Sequence, residues 1–450
     1  MEGVQTDPTT KDGAVEAPAQ ASSPPPKQAP EIPRYILPVI VGAQFAGTSL
    51  WFATNSITGE LNLRDEDVGW STSAVQFGFI FGTLVVALTS IADVFPPSAL
   101  FAASSFAGAA LNALLIYFHT FPVLIVLRVL TGMTLAGIYP IGMKIASDWY
   151  GPKQIGRALG WLVGALVAGT SLPFILRRIP QPFQALLWET SALAAVGGLA
   201  MLLLVPNGPY RKPGKRLGDP RGVVRLFCTN VPFRSAAVGY FGHMWELYAF
   251  YTWCPIVWRS YIEGRSGISN WNENSVTFYV IAFGSLGCIL GGYLSQRYGS
   301  AVVAYSSVAT SGTLCLFSPL IYSCPPVLMF LFYLLWGTTV SADSPQFSSL
   351  VAQAAPPEIK GSALTAVTCL GFALTIGSIQ LLGAPVFTER YLFLLLAPGP
   401  AIALMEKGLQ TLLGRRRMRL DSTLVKAANV GNTTLPKVDQ EKLEQNAPGV

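Results

Sequence analysis

Two ionisable side chains, His243 and Glu246, stand three residues apart in the run from Gly242 to Pro255, which is mainly apolar and aromatic. On a helix this spacing puts both on one face, about 60° apart. A carboxyl group held away from water exchanges its proton nearer neutral pH than an exposed one, and a histidine beside it can tune that exchange. The pair therefore suits proton coupling; a buried pair that only ties helices together is the alternative. Arg128 is a second isolated charge in an apolar block. It suits contact with an anionic ligand, pairing with an acid (Glu246 or Glu189), or a fixed structural role. Asp343 precedes Ser344 and Pro345, where it suits the capping of a proline-broken helix or a gate, with ligand contact as the alternative. Gln44, Thr48, Trp51 and Asn55 recur three or four residues apart. They form one stripe that fits a polar ligand with a flat or apolar part, or hydrogen bonding between helices. Tyr139, Tyr248, Trp245 and Trp253 are candidates for aromatic walls, or for packing and interface anchors.

Composition limits the elements that can hold these groups. Of 450 residues 51% are hydrophobic and 12% charged, with mean hydropathy +0.45. The charged share is about half that of a soluble chain. Apolar blocks of bilayer-spanning length fall at about 35–56, 70–92, 98–118, 122–146, 156–177 and 183–205. After a polar stretch, six more fall at about 233–258, 274–296, 300–322, 325–347, 360–383 and 387–407. They lack the alternation of barrel strands, so helices satisfy their backbone groups. The expected fold is an all-α membrane protein with 12 transmembrane helices.

With the N-terminal tail in the cytosol, inside segments hold 23 of the 30 Lys and Arg residues and outside segments six. The asymmetry puts both termini on the cytosolic side. Arg177 and Arg178, on the outside, are the main irregularity. The expected organisation is a disordered cytosolic tail over 1–34, a six-helix half over 35–205, a basic cytosolic linker over 206–232, a second six-helix half over 233–407 and a cytosolic tail over 408–450. The tail 1–34 has no apolar core of a signal peptide, and its acids argue against a transit peptide. The six cysteines are single and lie mostly within apolar blocks, as small packing residues do.

The halves echo each other. Gly156-Arg157-Ala158-Leu159 aligns with Gly361-Ser362-Ala363-Leu364 at an offset of 205, and Asp93 aligns with Gln296 at an offset of 203. Two parallel six-helix repeats joined by a basic loop are a transporter pattern. In Gly291-Gly292-Tyr293-Leu294-Ser295-Gln296-Arg297-Tyr298-Gly299 the chain resembles the major facilitator superfamily, whose loop between the second and third helix of each half reads Gly-x-Leu-x-Asp-Arg-x-Gly. Here Gln296 replaces the acid. The first-half copy keeps Asp93, with Val94 and Pro96 in place of the Arg and Gly. Arg128-x-x-x-Gly132 with Gly137, and Asp148-Trp149-Tyr150-Gly151 followed by Gly156-Arg157-Ala158, also resemble that family. The likeness covers about 35–407 and extends to bacterial-type members.

The resemblance implies two pseudo-symmetric six-helix halves in a major facilitator fold, with the first helix of each three-helix unit lining a central cavity. It implies a secondary active transporter working by alternating access. On this reading Glu246 and His243 couple protons. Arg128, Gln44, Asn55, Trp51, Tyr139, Tyr248 and Asp343 contact a small organic molecule or anion. Asp93, Arg297, Asp148 and Arg157 gate, and Lys144 with Asp148 forms a gate or surface ion pair. Efflux of a secondary metabolite or toxic compound is one alternative; a non-transporting receptor on the same fold is another. The chain carries no nucleotide-binding loop, metal cluster or nucleophile triad, so no enzyme activity, cofactor or metal is expected. The expected partners are a small-molecule substrate, a coupling proton and the lipid bilayer, with no nucleic acid. A monomer in the plasma membrane is expected, with an organelle membrane as the alternative.

Overall fold

Apolar blocks become helices because a backbone out of water must bond to itself. A computed structural model describes residues 32–151, 154–211, 220–268, 270–384 and 388–413. The 1–34 tail (up to residue 31), Lys212, Lys215 and Arg216 of the linker and Arg415-Arg416-Arg417 lie outside the described residues. From Arg34 onward the chain forms one unit. Its helices are α1 (Ile36–Thr48), α2 (Asp65–Thr89), α3 (Ile91–Val94), α4 (Pro97–Leu114), α5 (Phe121–Ala136), α6 (Tyr139–Trp149), α7 (Ile155–Leu176) and α8 (Phe183–Leu204). There follow α9 (Pro220–Thr229), α10 (Val231–Glu263), α11 (Glu273–Tyr298), α12 (Ser300–Ile321), α13 (Pro326–Ala342), α14 (Ser344–Ala354), α15 (Lys360–Gly383) and a last helix, α16, over 398–413. Among the described residues, ten helical stretches are long and apolar enough to cross a membrane; α5–α6 and α13–α14 each count as one. Large side chains such as Leu88, Leu203, Leu320 and Leu331 are exposed on the helices, as lipid-facing groups are.

Helix starts carry local signals. Asn230 and Asn272 accept from Phe233 N at 2.9 Å and Ser275 N at 3.0 Å, capping α10 and α11. Proline occupies the first turn of α4, α5, α6, α10, α13 and α14, where its missing N–H costs nothing.

Three expected helices differ from the apolar blocks. The block 122–146 breaks at Gly137 and Ile138, before Pro140, and the block 325–347 breaks at Asp343, before Pro345, because each ring removes a helix donor. The expected helix over 35–56 stops at Thr48. Beyond it the backbone closes tighter i→i+3 bonds, such as Trp51 N to Thr48 O at 3.1 Å and Asn55 N to Phe52 O at 3.1 Å. Thr48 and Ser49 hydroxyls donate back to the Gln44 and Ala46 carbonyls at 2.8 and 2.7 Å, competing with the helix ladder.

Packing repeats along the chain. On α5, Gly132 lies against the Val75 carbonyl of α2; on α13, Gly337 lies against the Val280 carbonyl of α11. Gly82 meets the Met133 carbonyl, and Gly287 meets that of Thr338. Each residue of the second set, like Pro345 after Pro140, stands 205 residues after its counterpart. That is the offset of the Gly156 and Gly361 segments. Two seams join the early helices to the late ones: α7 runs along α11, and α2 along α15.

Candidate functional site

Five segments converge on an aromatic cluster. Trp51, in the turns after α1, stacks on Tyr248 of α10 at 5.4 Å and lies 5.3 Å from Phe79 of α2 and 5.9 Å from Phe372 of α15. Phe79 and Phe372 close to 4.4 Å, and Tyr139 of α6 stacks on Phe79 at 6.5 Å. Below them is a cavity of about 20 Å³ whose walls include Tyr139, Tyr240, Met244, Tyr248, Ser341 and Phe372, room for about one water. The expected aromatic residues Trp51, Tyr139 and Tyr248 thus meet in one place. Trp245 and Trp253 instead donate to the Leu395 and Ile379 carbonyls at 3.0 and 3.1 Å.

Around this cluster several buried polar atoms lack partners. Both amide atoms of Gln44 and of Gln76, and Trp51 Nε1, are among them. Gln44 fills the gap beside Gly142 of α6. Gln76 was not singled out from the sequence. It lies on the same face of α2 as Ser73, which accepts from Gln380 Nε2 of α15 at 2.8 Å, and Phe79. A lone amide inside the apolar block 70–92 was the available signal. Phe79 and Phe372 carried none, since an aromatic in such a block is ordinarily packing.

The ionisable residues do not pair as expected. His243 does not meet Glu246: its Nδ1 stands 2.8 Å from Asp343 Oδ1, although the ring N–H does not point along the contact. Both side chains are almost fully buried. Glu246 turns toward α12 and α13. Its carboxylate accepts from Trp336 Nε1 at 2.5 Å, Ser311 Oγ at 2.9 Å and Cys315 Sγ at 3.5 Å. A three-residue separation puts two side chains on one helix face, but which neighbour each meets depends on the adjoining helices. Asp343 does not cap α14 with its side chain. It stands between Ser341 of the cavity wall and Ser344, which also lines the cavity.

Arg128 pairs with neither Glu246 nor Glu189. Its Nη1 donates to Leu50 O at 3.0 Å and its Nη2 to Trp51 O. It thus occupies two carbonyls in the turns that follow α1. Glu189 is exposed and accepts from Gln181 Nε2 at 3.0 Å. Asn55 lies outside the central cavity. It donates to Thr72 Oγ1 at 2.8 Å and sits in the floor of a second, larger cavity of about 430 Å³, beside the end of α7 and the start of α11.

The gating candidates divide. Asp93 pairs with Lys144 at 2.9 Å, so the expected Lys144–Asp148 pair gives way to a contact between α3 and α6. Arg211 donates to the carbonyls of Asp93 and Phe95 at 3.4 and 3.1 Å. Asp148 is buried nearby, its carbonyl accepting from Tyr210 N at 2.9 Å. Arg157 and Arg297 are exposed, and Arg297 lies 5.3 Å from the Tyr298 ring. Among the described residues no group of three His, Cys, Asp or Glu could hold a metal ion.

Comparison with known proteins bears on this arrangement. The crystal structure of the nucleoside transporter NupG superimposes with a TM-score of 0.64 at 14% identity, covering 83% of this chain and 98% of that one. The crystal structure of the human organic anion transporter TETRAN gives 0.63 at 13% identity, with the same coverage. At such identities the likeness is one of fold. No curated protein sequence matches the chain. The family model of the Major Facilitator Superfamily matches residues 36–378, most of the chain, so this is a multi-pass membrane protein of the Major Facilitator Superfamily, a transporter and not an enzyme.

Proposed function

We propose that the chain is a secondary active transporter that carries a small organic molecule through the aromatic cluster and is driven by protons. On this reading α1 with its following turns, and α10, join the ten apolar stretches as twelve spans. The helices before and after the linker are two six-helix halves rocking about the site, with both termini in the cytosol. The observation that carries the proposal is the convergence of Trp51, Phe79, Tyr139, Tyr248 and Phe372 in one cluster, of which Tyr139, Tyr248 and Phe372 also line the small cavity, with unpartnered polar atoms on Trp51 and Gln76. Stacked rings suit a flat substrate, and unpaired buried amides suit one with a polar edge. The similar structures are described as carriers of nucleosides and of organic anions, which supports a solute of that size. Arg128 acts on this site as a positioning residue, through the Trp51 carbonyl it holds.

The coupling proton belongs to Glu246 with the His243–Asp343 pair, all buried on α10 and at the α13–α14 break. Asp343 lies between two serines of the cavity wall, so a change in its charge can be felt there. Efflux of an amphipathic compound is the alternative that the aromatic wall fits, beside uptake of a small anion. Untargeted mass spectrometry of cytosol and medium, with and without the chain, identifies the substrate: accumulation inside cells lacking the chain is expected for an exporter. In proteoliposomes, Glu246→Gln should abolish pH-driven transport and leave substrate counterflow largely intact. Full pH-driven activity in that variant would sink the coupling role.

A further inference from the structure

Arg177 and Arg178 are anomalous in sequence, a cationic pair on the side that the charge asymmetry leaves poor in cations. They line the 430 Å³ cavity together with Asn55, Glu60, Arg259, Asn272 and Glu273. The cavity opens at the end of the bundle where α7 finishes and α11 begins. Its volume falls in the range of small-molecule sites, and its walls are mainly polar. Arg177 is matched by Glu60, and Arg259 stands 3.5 Å from Asp65. Glu273 lies in the first turn of α11, where the helix dipole favours its charge. Arg178 makes no ion pair among the described residues and is exposed. Below it Asn55, 4% exposed, gives its Nδ2 to Thr72 and leaves its Oδ1 without a partner.

We infer that this outer cavity is a binding site for a small hydroxylated carboxylate, separate from the aromatic cavity. The Arg178 guanidinium takes the carboxylate, since a planar fork matches it in two bonds. The Asn55 Oδ1, an acceptor only and closed off in this structure, takes a hydroxyl of the same molecule when the amide turns toward the cavity. Asn55 stands four residues after Trp51 in the turns that follow α1, so the site lies at the end of the segment that carries Trp51 into the aromatic cluster. There Arg178, the cation of the cavity wall without an ion pair among the described residues, attracts anions locally, an attraction that salt weakens. The inference depends on neither the direction of transport nor the proton coupling proposed above.

Equilibrium binding of radiolabelled gluconate to the purified full-length chain in lipid nanodiscs tests it, with sorbitol as the uncharged competitor of similar skeleton. Saturable gluconate binding that weakens with added salt and resists sorbitol is expected. Arg178→Gln, an exposed substitution that leaves the fold intact, should weaken it by about tenfold or more, the loss of a charge-assisted hydrogen bond. Arg178→Lys should keep part of the affinity, and Phe372→Ala, in the aromatic cluster, should keep all of it. Absent binding in the millimolar range, equal displacement by sorbitol, or unchanged affinity in Arg178→Gln would overturn the inference. Loss of binding in a Phe372→Ala protein whose melting midpoint shows it folded would do so as well, since the anion would then sit in the central site. Failure of transport in any other variant bears only on the proposed function.

Discussion

Arg128 and Glu246 are both buried, and the difference between their partners decides what each does. Arg128 meets two backbone carbonyls, a geometric task. Glu246 meets three side-chain donors, none of them cationic, so its charge has no counter-ion within reach. Arg128→Gln should therefore cost about 3 kcal/mol, as charged hydrogen bonds to buried carbonyls do, read as a lower midpoint in denaturant or heat. Arg128→Lys should recover little, because one ammonium cannot reproduce the fork. A stability equal to that of the parent would refute the positioning role. The sequence marked both residues as exceptional because an isolated charge in an apolar block is costly. It did not reveal their partners, which lie 77 and 78 residues away for Arg128 and 65 to 90 for Glu246. For the same reason His243 was matched to its neighbour on the helix and not to Asp343.

The helices are set by short-range signals and their crossings by small residues. Pro140 and Pro345 break the fourth and tenth apolar blocks at equivalent positions, and the sequence marked the second of them, at Asp343, as a proline-broken helix. The early end of α1 was not marked, because it depends on hydroxyl back-bonding and on Arg128 as well as on local propensity. Where α5 crosses α2, a Cβ on Gly132 would meet the Val75 carbonyl, whereas one on Gly42 would meet nothing. Gly132→Ala should therefore destabilise the protein by about 1–3 kcal/mol, the cost of overpacking, while Gly42→Ala should be close to neutral. Melting curves of the two variants check this; equal midpoints would mean that the α2–α5 crossing can spread freely. Gly337→Ala should behave like Gly132→Ala, because the same crossing recurs between α11 and α13.

Across the whole molecule, the aromatic cluster sits at the seams and the proton candidates sit on one side of them. The repeat does not extend to charge: His243, Glu246 and Asp343 lie after the linker, and Arg128 before it. A rocking cycle requires α7 and α11 to move against each other near Gly160 and Gly292, where a Cβ on Gly160 would stand 3.5 Å from Gly292 Cα. Cysteines at both positions are close enough to bridge. The oxidised Gly160→Cys, Gly292→Cys double variant should lose transport and regain it on reduction, with each single variant active throughout. Transport by the bridged protein would mean that the halves do not rock at this seam.

The apolar blocks, the break before Pro345, the 205-residue echo and the isolated charges follow from the sequence alone, because hydropathy, backbone chemistry and duplication act along the chain. Tertiary structure decided which side chains meet. The ring cluster of Trp51 and Phe372, the His243–Asp343 contact, the Lys144–Asp93 pair and the cavity around Arg178 each join segments far apart in sequence. Periodicity fixes the face of a helix on which a residue lies, and only packing fixes what that face is turned toward.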